Sequence, residues 1–252
     1  MKKILSYILS PLFFLFFGIV LIIYHPFLIL AYLIFGRKGL EWLMDRLVLT
    51  MISILKIVLF MRYEMINFKP IPSDKPVLFI SNHQSMWDIP PIMWYYRKNR
   101  PKFVAKKELG RFVPSVSFYL RNADHLLIDR SKSENALSKI EQFSDHLTER
   151  GYSIVVFPEG TRSKDGKVAY FKPKGIRTIL EKMPDILVVP FAQHNTREID
   201  NNGNFFKDVG LRIKVEMLPP RHLSLDHLED QLEDLRKEIS SAIGVDTEIT
   251  QQ

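Results

Sequence analysis

The sequence predicts an α/β domain with a mixed central sheet flanked by helices, preceded by a membrane-embedded or interfacial segment of two helices. Three observations carry this reading. Residues 4–35 are almost entirely apolar and residues 47–61 nearly so, whereas the remainder is mixed and charged. After residue 62, six short apolar runs recur, each of strand length. Helix-period stretches lie between or after them, the alternation that builds a helix-covered sheet. The chain therefore divides into 1–61 and 62–252, and 252 residues suffice for one sizeable domain and an added segment.

The N-terminal run, ILSYILSPLFFLFFGIVLIIYHPFLILAYLIFG, follows Lys2 and Lys3. It is far longer than a signal-peptide core and no small-residue cleavage site follows it. Its length would cross a bilayer. His25–Pro26 interrupts it, and a proline removes a backbone donor and kinks a helix there. Lys2/Lys3 and Arg37/Lys38 flank the two ends, which the positive-inside tendency places together on the cytoplasmic face. The second helix, LVLTMISILKIVLFM at 47–61, carries Lys56 and follows Asp45 and Arg46; these charges suit an interfacial helix better than a spanning one. A buried helix pair in a soluble protein is the alternative, and runs such as FFLFF oppose it because they are costly to keep in water. If the segment mainly brings the domain to lipid, deleting it weakens membrane binding and leaves the fold intact. Loss of folding would favour the buried pair.

The strands are expected at PVLFIS (76–81), KFVA (102–105), HLLI (125–128), SIVVF (153–157), ILVVPF (186–191) and LRIKVEM (211–217). Continuous apolar runs belong in the buried middle of a sheet; the alternating last one belongs nearer an edge. In SENALSKIEQFSDHLTERG, Leu137, Ile140 and Leu147 share a helix face, with Ser133 as cap and Gly151 as stop. Leu225, Leu228, Leu232, Leu235, Ile239 and Ile243 form a second such face, ending at Gly244.

The absence of cysteine excludes disulfides, thiolate metal sites and a cysteine nucleophile. The net charge of +7 is concentrated in RKNRPKFVAKKELGR at 97–111. Such a run suits nucleic acid, an anionic lipid surface or phosphate-bearing substrates. The neighbouring apolar segment favours lipid, and no nucleic-acid partner is expected.

Sites in α/β sheets form at the loops after strands. Three strand ends carry polar loops: Asn82–Asp88, Asp129-Arg130-Ser131, and Phe157–Ser163. In the first, a histidine stands five residues before an aspartate. Imidazole titrates near working pH, and a carboxylate can hold its ring in one tautomer if a turn closes the gap. The pair reads equally as a histidine satisfied within a loop and an aspartate capping a helix that opens at Ile89-Pro90-Pro91.

Taken together, HQSMWD (83–88), FVAKKEL (103–109), HLLIDRS (125–131), FPEGTR (157–162), FKPKG (171–175) and VVPFA (188–192) resemble the blocks of the glycerolipid acyltransferases, most closely the bacterial 1-acyl-sn-glycerol-3-phosphate acyltransferase type. The resemblance covers about 70–220. It implies that 62–252 moves a fatty acyl group from an acyl carrier protein or coenzyme A thioester to the 2-hydroxyl of lysophosphatidic acid, giving phosphatidic acid at a membrane. It makes His83 the general base and Asp88 its partner. It assigns the acceptor's glycerol phosphate to the Glu159-Gly160-Thr161-Arg162 loop, with Arg162 as the phosphate fork and Lys106 as a phosphate-side lysine. Glu159 is expected to orient Arg162 or touch glycerol hydroxyls, and Arg130 to bind phosphate or tie loops. No cofactor or metal enters this chemistry, and no HExxH is present. The membrane is expected to be a bacterial inner membrane, with the domain on its cytoplasmic face. Another lysophospholipid or a lyso-aminolipid as acceptor, or a non-catalytic membrane-binding module, are the alternatives.

Overall fold

The computed structural model describes residues 2–129, 133–200 and 205–244. Helix α1 spans Lys2–Val58 and is broken at Gly36, whose φ of 62° and ψ of −150° lie in a region open to glycine alone. The chain folds back there: the Tyr24 and Thr50 hydroxyls, on opposite sides of the break, lie 3.0 Å apart. The interruption expected at His25–Pro26 thus falls at Gly36, and Pro11 and Pro26 both sit within helical backbone. Tertiary contacts hold that stretch. The Ser115 hydroxyl donates to the Leu21 carbonyl at 2.6 Å and the Ser115 N–H donates to His25 Nδ1 at 3.0 Å.

The second helical stretch also begins directly after Gly36 rather than at 47. Asp45 and Arg46, which the sequence reading placed ahead of this helix, lie inside it. Glu41 pairs with the buried Lys102, and the Arg46 guanidinium lies over the Trp42 and Trp94 rings.

Among the described residues seven strands follow: β1 Arg62–Ile66, β2 Val77–Ser81, β3 Pro101–Lys106, β4 Leu126–Ile128, β5 Ser153–Val156, β6 Leu187–His194 and β7 Arg212–Met217. They form one sheet in the order β1-β7-β6-β2-β5-β3-β4. Only β6 and β7 pair antiparallel; every other neighbouring pair is parallel. The mixed sheet is therefore as expected, and so are six of its strands. The seventh, β1, covers the outer side of β7 and makes β7 second from the edge. Its sequence, RYEMI, is short and alternates exposed Arg62 and Glu64 with half-buried neighbours, so it carries no continuous apolar run.

Helices α2 Ile89–Tyr95, α3 Val116–Asn122, α4 Ser133–Arg150, α5 Pro173–Lys182, α6 Thr196–Asp200 and α7 Leu228–Ala242 complete the fold. Alternate strand residues divide the core between the two faces. Val77, Phe79, Val189 and Phe191 join Leu40, Leu47 and Leu55 of α1 on one face. Leu78, Ile80, Ile154 and Val188 join Ile140 and Leu147 of α4, Ile176 and Ile179 of α5, and Leu232 and Leu235 of α7 on the other. The interval between Val58 and Arg62 separates α1 from the sheet along the chain, but the buried core runs across it.

Only one face of the first half of α1 is used. Phe13, Leu21 and Leu28 are buried, while Leu15, Ile19, Ile22, Ile23, Leu30 and Leu33 are exposed. By length and composition this helix could cross a membrane. The basic run 97–111 does not form one patch. Arg100 and Lys102 lie near the start of β3 with Tyr152, and Lys106 lies at its far end.

Candidate active site

Strands β2, β5 and β3 lie side by side and parallel, so the segments that follow them gather at one edge of the sheet. The register sets Ile80 opposite Val156. His83 and Glu159, each three residues further on, come face to face. The Glu159 carboxylate accepts from the His83 N–H at 2.6 Å through Oε1 and from the Ala169 N–H at 3.0 Å through Oε2. The Ser163 N–H returns a bond to the His83 carbonyl at 2.8 Å. The Phe157 ring stacks on the imidazole with centroids 4.2 Å apart. The two loops that carry the sequence motifs are thus one assembly.

A 3₁₀ turn at Met86–Asp88 closes the gap between His83 and Asp88. Asp88 Oδ2 receives His83 Nδ1 at 2.8 Å, the Gln84 N–H at 2.7 Å and the Ser85 N–H at 2.8 Å. Because a carboxylate only accepts, the ring proton resides on Nδ1 and the Nε2 lone pair is left for another proton. Asp88 is fully buried while His83 keeps 13% of its side chain exposed. Asp88 does precede α2, but its side chain makes no capping bond to that helix. Of the two readings open in the sequence, the helix cap is replaced by a carboxylate turned back on the histidine.

The strand behind this turn holds it in place. Asn82 is buried, donates to the Gln193 carbonyl at 3.0 Å and accepts from the Gln193 N–H at 2.8 Å. The Gln193 side chain donates to the Asp88 carbonyl at 2.7 Å. A glutamine inside the apolar strand VVPFAQH was a legible anomaly, yet its target lay more than a hundred residues away and could not be named from sequence. From the other side Trp87 packs against Phe13 and Phe17 of α1, each with ring centroids 5.8 Å away.

Glu159 does not orient Arg162 in this structure. It is 2% exposed and its oxygens serve backbone donors of the two loops, not Arg162. Burial pushes its carboxyl up to about 7, against the pull of the two backbone hydrogen bonds. The Gly160 N–H donates to the Phe157 carbonyl at 3.0 Å, closing the turn that its φ of 72° allows. Thr161 and Arg162 lie exposed beyond it. Lys106 is exposed at the end of β3, the next strand along the same edge. Arg130 lies outside the described residues. The sequence reading passed over Lys172 in FKPKG. Its Nζ lies 3.1 Å from where a Cβ on Gly160 would stand, which adds a cation beside the Arg162 turn. Among the described residues no cluster of side chains suited to a metal ion occurs.

The hydrogen-bonded His83–Asp88 pair thus lies beside the exposed Thr161–Arg162 turn at the strand ends of a mixed α/β sheet. The Acyltransferase family model matches residues 62–194, and the chain belongs to that family. It is 32% identical over 167 residues to a 1-acyl-sn-glycerol-3-phosphate acyltransferase of Limnanthes douglasii, covering 66% of this chain and 57% of the relative. It is 30% identical over 167 residues to the enzyme of that name from Pseudomonas aeruginosa, covering 66% of this chain and 62% of the relative. The alignments span 38%, 57% and 39% of the length of the Chlamydomonas reinhardtii, Limnanthes douglasii and Cocos nucifera relatives. The fold matches the crystal structure of the 1-acyl-sn-glycerophosphate (LPA) acyltransferase, PlsC, from Thermotoga maritima over 100% of both chains, with a TM-score of 0.76 and 23% identity.

Proposed function

We propose that the protein acylates the sn-2 hydroxyl of lysophosphatidic acid from a thioester of acyl carrier protein or coenzyme A, giving phosphatidic acid. The observation that carries this is the 2.8 Å bond from His83 Nδ1 to Asp88, with Nε2 left for a proton, beside the exposed Arg162 turn. His83 Nε2 takes the acceptor's hydroxyl proton as the oxygen attacks the thioester carbon. A C–O bond forms, the C–S bond breaks, and the proton passes from the imidazolium to the leaving thiolate. Asp88 holds the tautomer and stabilises the transient imidazolium. Arg162 offers a planar fork to the acceptor's phosphate, with Lys106 and Lys172 as further cations. The exposed apolar side of α1 supports insertion into one leaflet, which would bring lysolipid to the strand ends. A bacterial inner membrane approached from the cytoplasm is the setting this reading favours.

The test is direct. Purified protein in lipid vesicles is given lysophosphatidic acid with a long-chain acyl-coenzyme A or acyl carrier protein, and the position of the new ester is read by mass spectrometry. Phosphatidic acid acylated at sn-2 is expected. No product with either donor, alongside turnover of a different lysolipid, would replace the proposed acceptor.

A further inference from the structure

Asp200 ends α6 and takes no part in the reaction as proposed. Its Oδ2 accepts from the Ser85 hydroxyl at 2.5 Å. Ser85 is fully buried. Its hydroxyl oxygen accepts from the Trp87 N–H at 3.2 Å, and its N–H donates to Asp88 Oδ2. The other Asp200 oxygen lies 3.4 Å from Lys207 Nζ. Lys207 is buried as well, and its ammonium sits 5.4 Å from the Phe14 ring centroid. Its backbone receives α1: the Ser6 hydroxyl donates to the Lys207 carbonyl at 2.6 Å, and the Lys207 N–H donates to the Ser10 hydroxyl at 2.7 Å. A line of polar contacts therefore runs from the start of α1 through Lys207, Asp200 and Ser85 to the carboxylate that holds His83.

We propose that Asp200 is a positioning residue that fixes Ser85, and through it the Asp88 carboxylate against His83, with full effect only while α1 is seated on Lys207. A buried hydroxyl and a buried ammonium both need an acceptor, and Asp200 supplies one oxygen to each. Losing the α1 contacts would free Lys207 to shift, and Asp200 with it. The seating of a helix whose other side is apolar and exposed thereby tunes the strength of the general base. The inference rests on the assignment of His83 as that base. The carboxylates around the histidine are Asp88, Glu159 from the 157–163 loop, and Asp200 behind Ser85.

The experiment uses the full chain in vesicles containing lysophosphatidic acid. It records kcat, acceptor KM, the acid limb of the kcat/KM pH profile, and thermal stability. Ser85→Ala is expected to lower kcat about tenfold with acceptor KM unchanged. It should also move the acid limb to lower pH, because a looser Asp88 stabilises the imidazolium less. Asp200→Ala should do the same, and the double variant should be no worse than the poorer single one. Asp200→Asn keeps one acceptor for Ser85 but loses the acceptor for Lys207, and should recover only part of kcat. Ser6→Ala combined with Ser10→Ala should shift the limb in the same direction. Additive losses, or a fall in kcat with the limb unmoved, mark a merely structural Asp200 and overturn the proposal. An unmoved limb in the Ser6/Ser10 double variant removes the coupling to α1. His83→Ala separates the two levels. If it stays active, the base assignment fails and takes this inference with it. If it is inactive while the Ser85 and Asp200 variants behave as unaltered protein, the positioning role alone is refuted.

Discussion

The turn at 83–88 and the turn at 157–162 carry the two sequence motifs, and they are built in opposite ways. In the first, Asp88 Oδ2 alone receives three donors, and Asn82, Ser85 and Gln193 are buried around it. In the second, a buried Glu159 anchors the loop while Thr161 and Arg162 project into solvent. A group that moves a proton gains from a fixed orientation, since misplacement costs rate directly. A group that captures a lipid phosphate must be reachable, and gains its partner only on binding. On the proposed function, the pair of turns would separate chemistry from recognition along one sheet edge.

The largest expected effect breaks the first turn. His83→Ala should lower acyl transfer by roughly 10²–10⁴, the usual worth of a positioned acid–base group. Circular dichroism should show an unchanged fold, because the His83 backbone stays tied to Glu159 and Ser163 when the ring is removed. Next comes the support beneath both turns. Leu47→Ala in α1 should cost about 2–5 kcal/mol of stability, read from denaturant unfolding, because Leu47 is buried in the cluster that holds Phe79 and Phe191. For the same reason, deletion of 2–58 should leave an aggregating remainder with Phe79 and Ile213 uncovered, because the second half of α1 is core while the first half keeps an exposed apolar side for lipid.

A smaller effect sharpens the contrast through Glu159. Its folded pKa near 7 lies above its ordinary value of 4.5, so the native state holds the proton more tightly than the unfolded chain does. Its contribution to stability is therefore full below about 4.5 and is lost as pH rises through about 7. Glu159→Gln should flatten that part of the stability profile between pH 5 and 8, monitored by thermal unfolding. An unchanged slope would place the titration on another group.

The family was legible because motifs are local, and six strands were legible because apolar runs of strand length have few other readings. What escaped was set by distant partners. Proline drew the expected helix break to 26, yet Ser115 packs against that stretch and Gly36 takes the positive φ. Asp45 and Arg46 looked like charges ahead of a helix that starts at 47, yet both lie within helical backbone and the Arg46 guanidinium lies over the Trp94 ring. Glu159 resembled a ligand-facing carboxylate; only the register of β2 against β5 shows that it faces the His83 backbone. Gln193 and Asp200 act on the 83–88 turn across more than a hundred residues of chain, a distance no local pattern spans.

The measurement that bears most directly on the division between the turns is steady-state kinetics of Asp88→Asn and Arg162→Ala side by side, in the same vesicles with varied lysophosphatidic acid. Asp88→Asn should disturb the histidine tautomer and lower kcat by about 10²–10⁴ while leaving acceptor KM nearly unchanged. Arg162→Ala should act mainly by raising acceptor KM, reducing kcat/KM by about 10–100-fold for the loss of a charged hydrogen-bonding partner. Both variants losing kcat and acceptor KM in the same proportion would contradict the account, because the two turns would then be one site with one task.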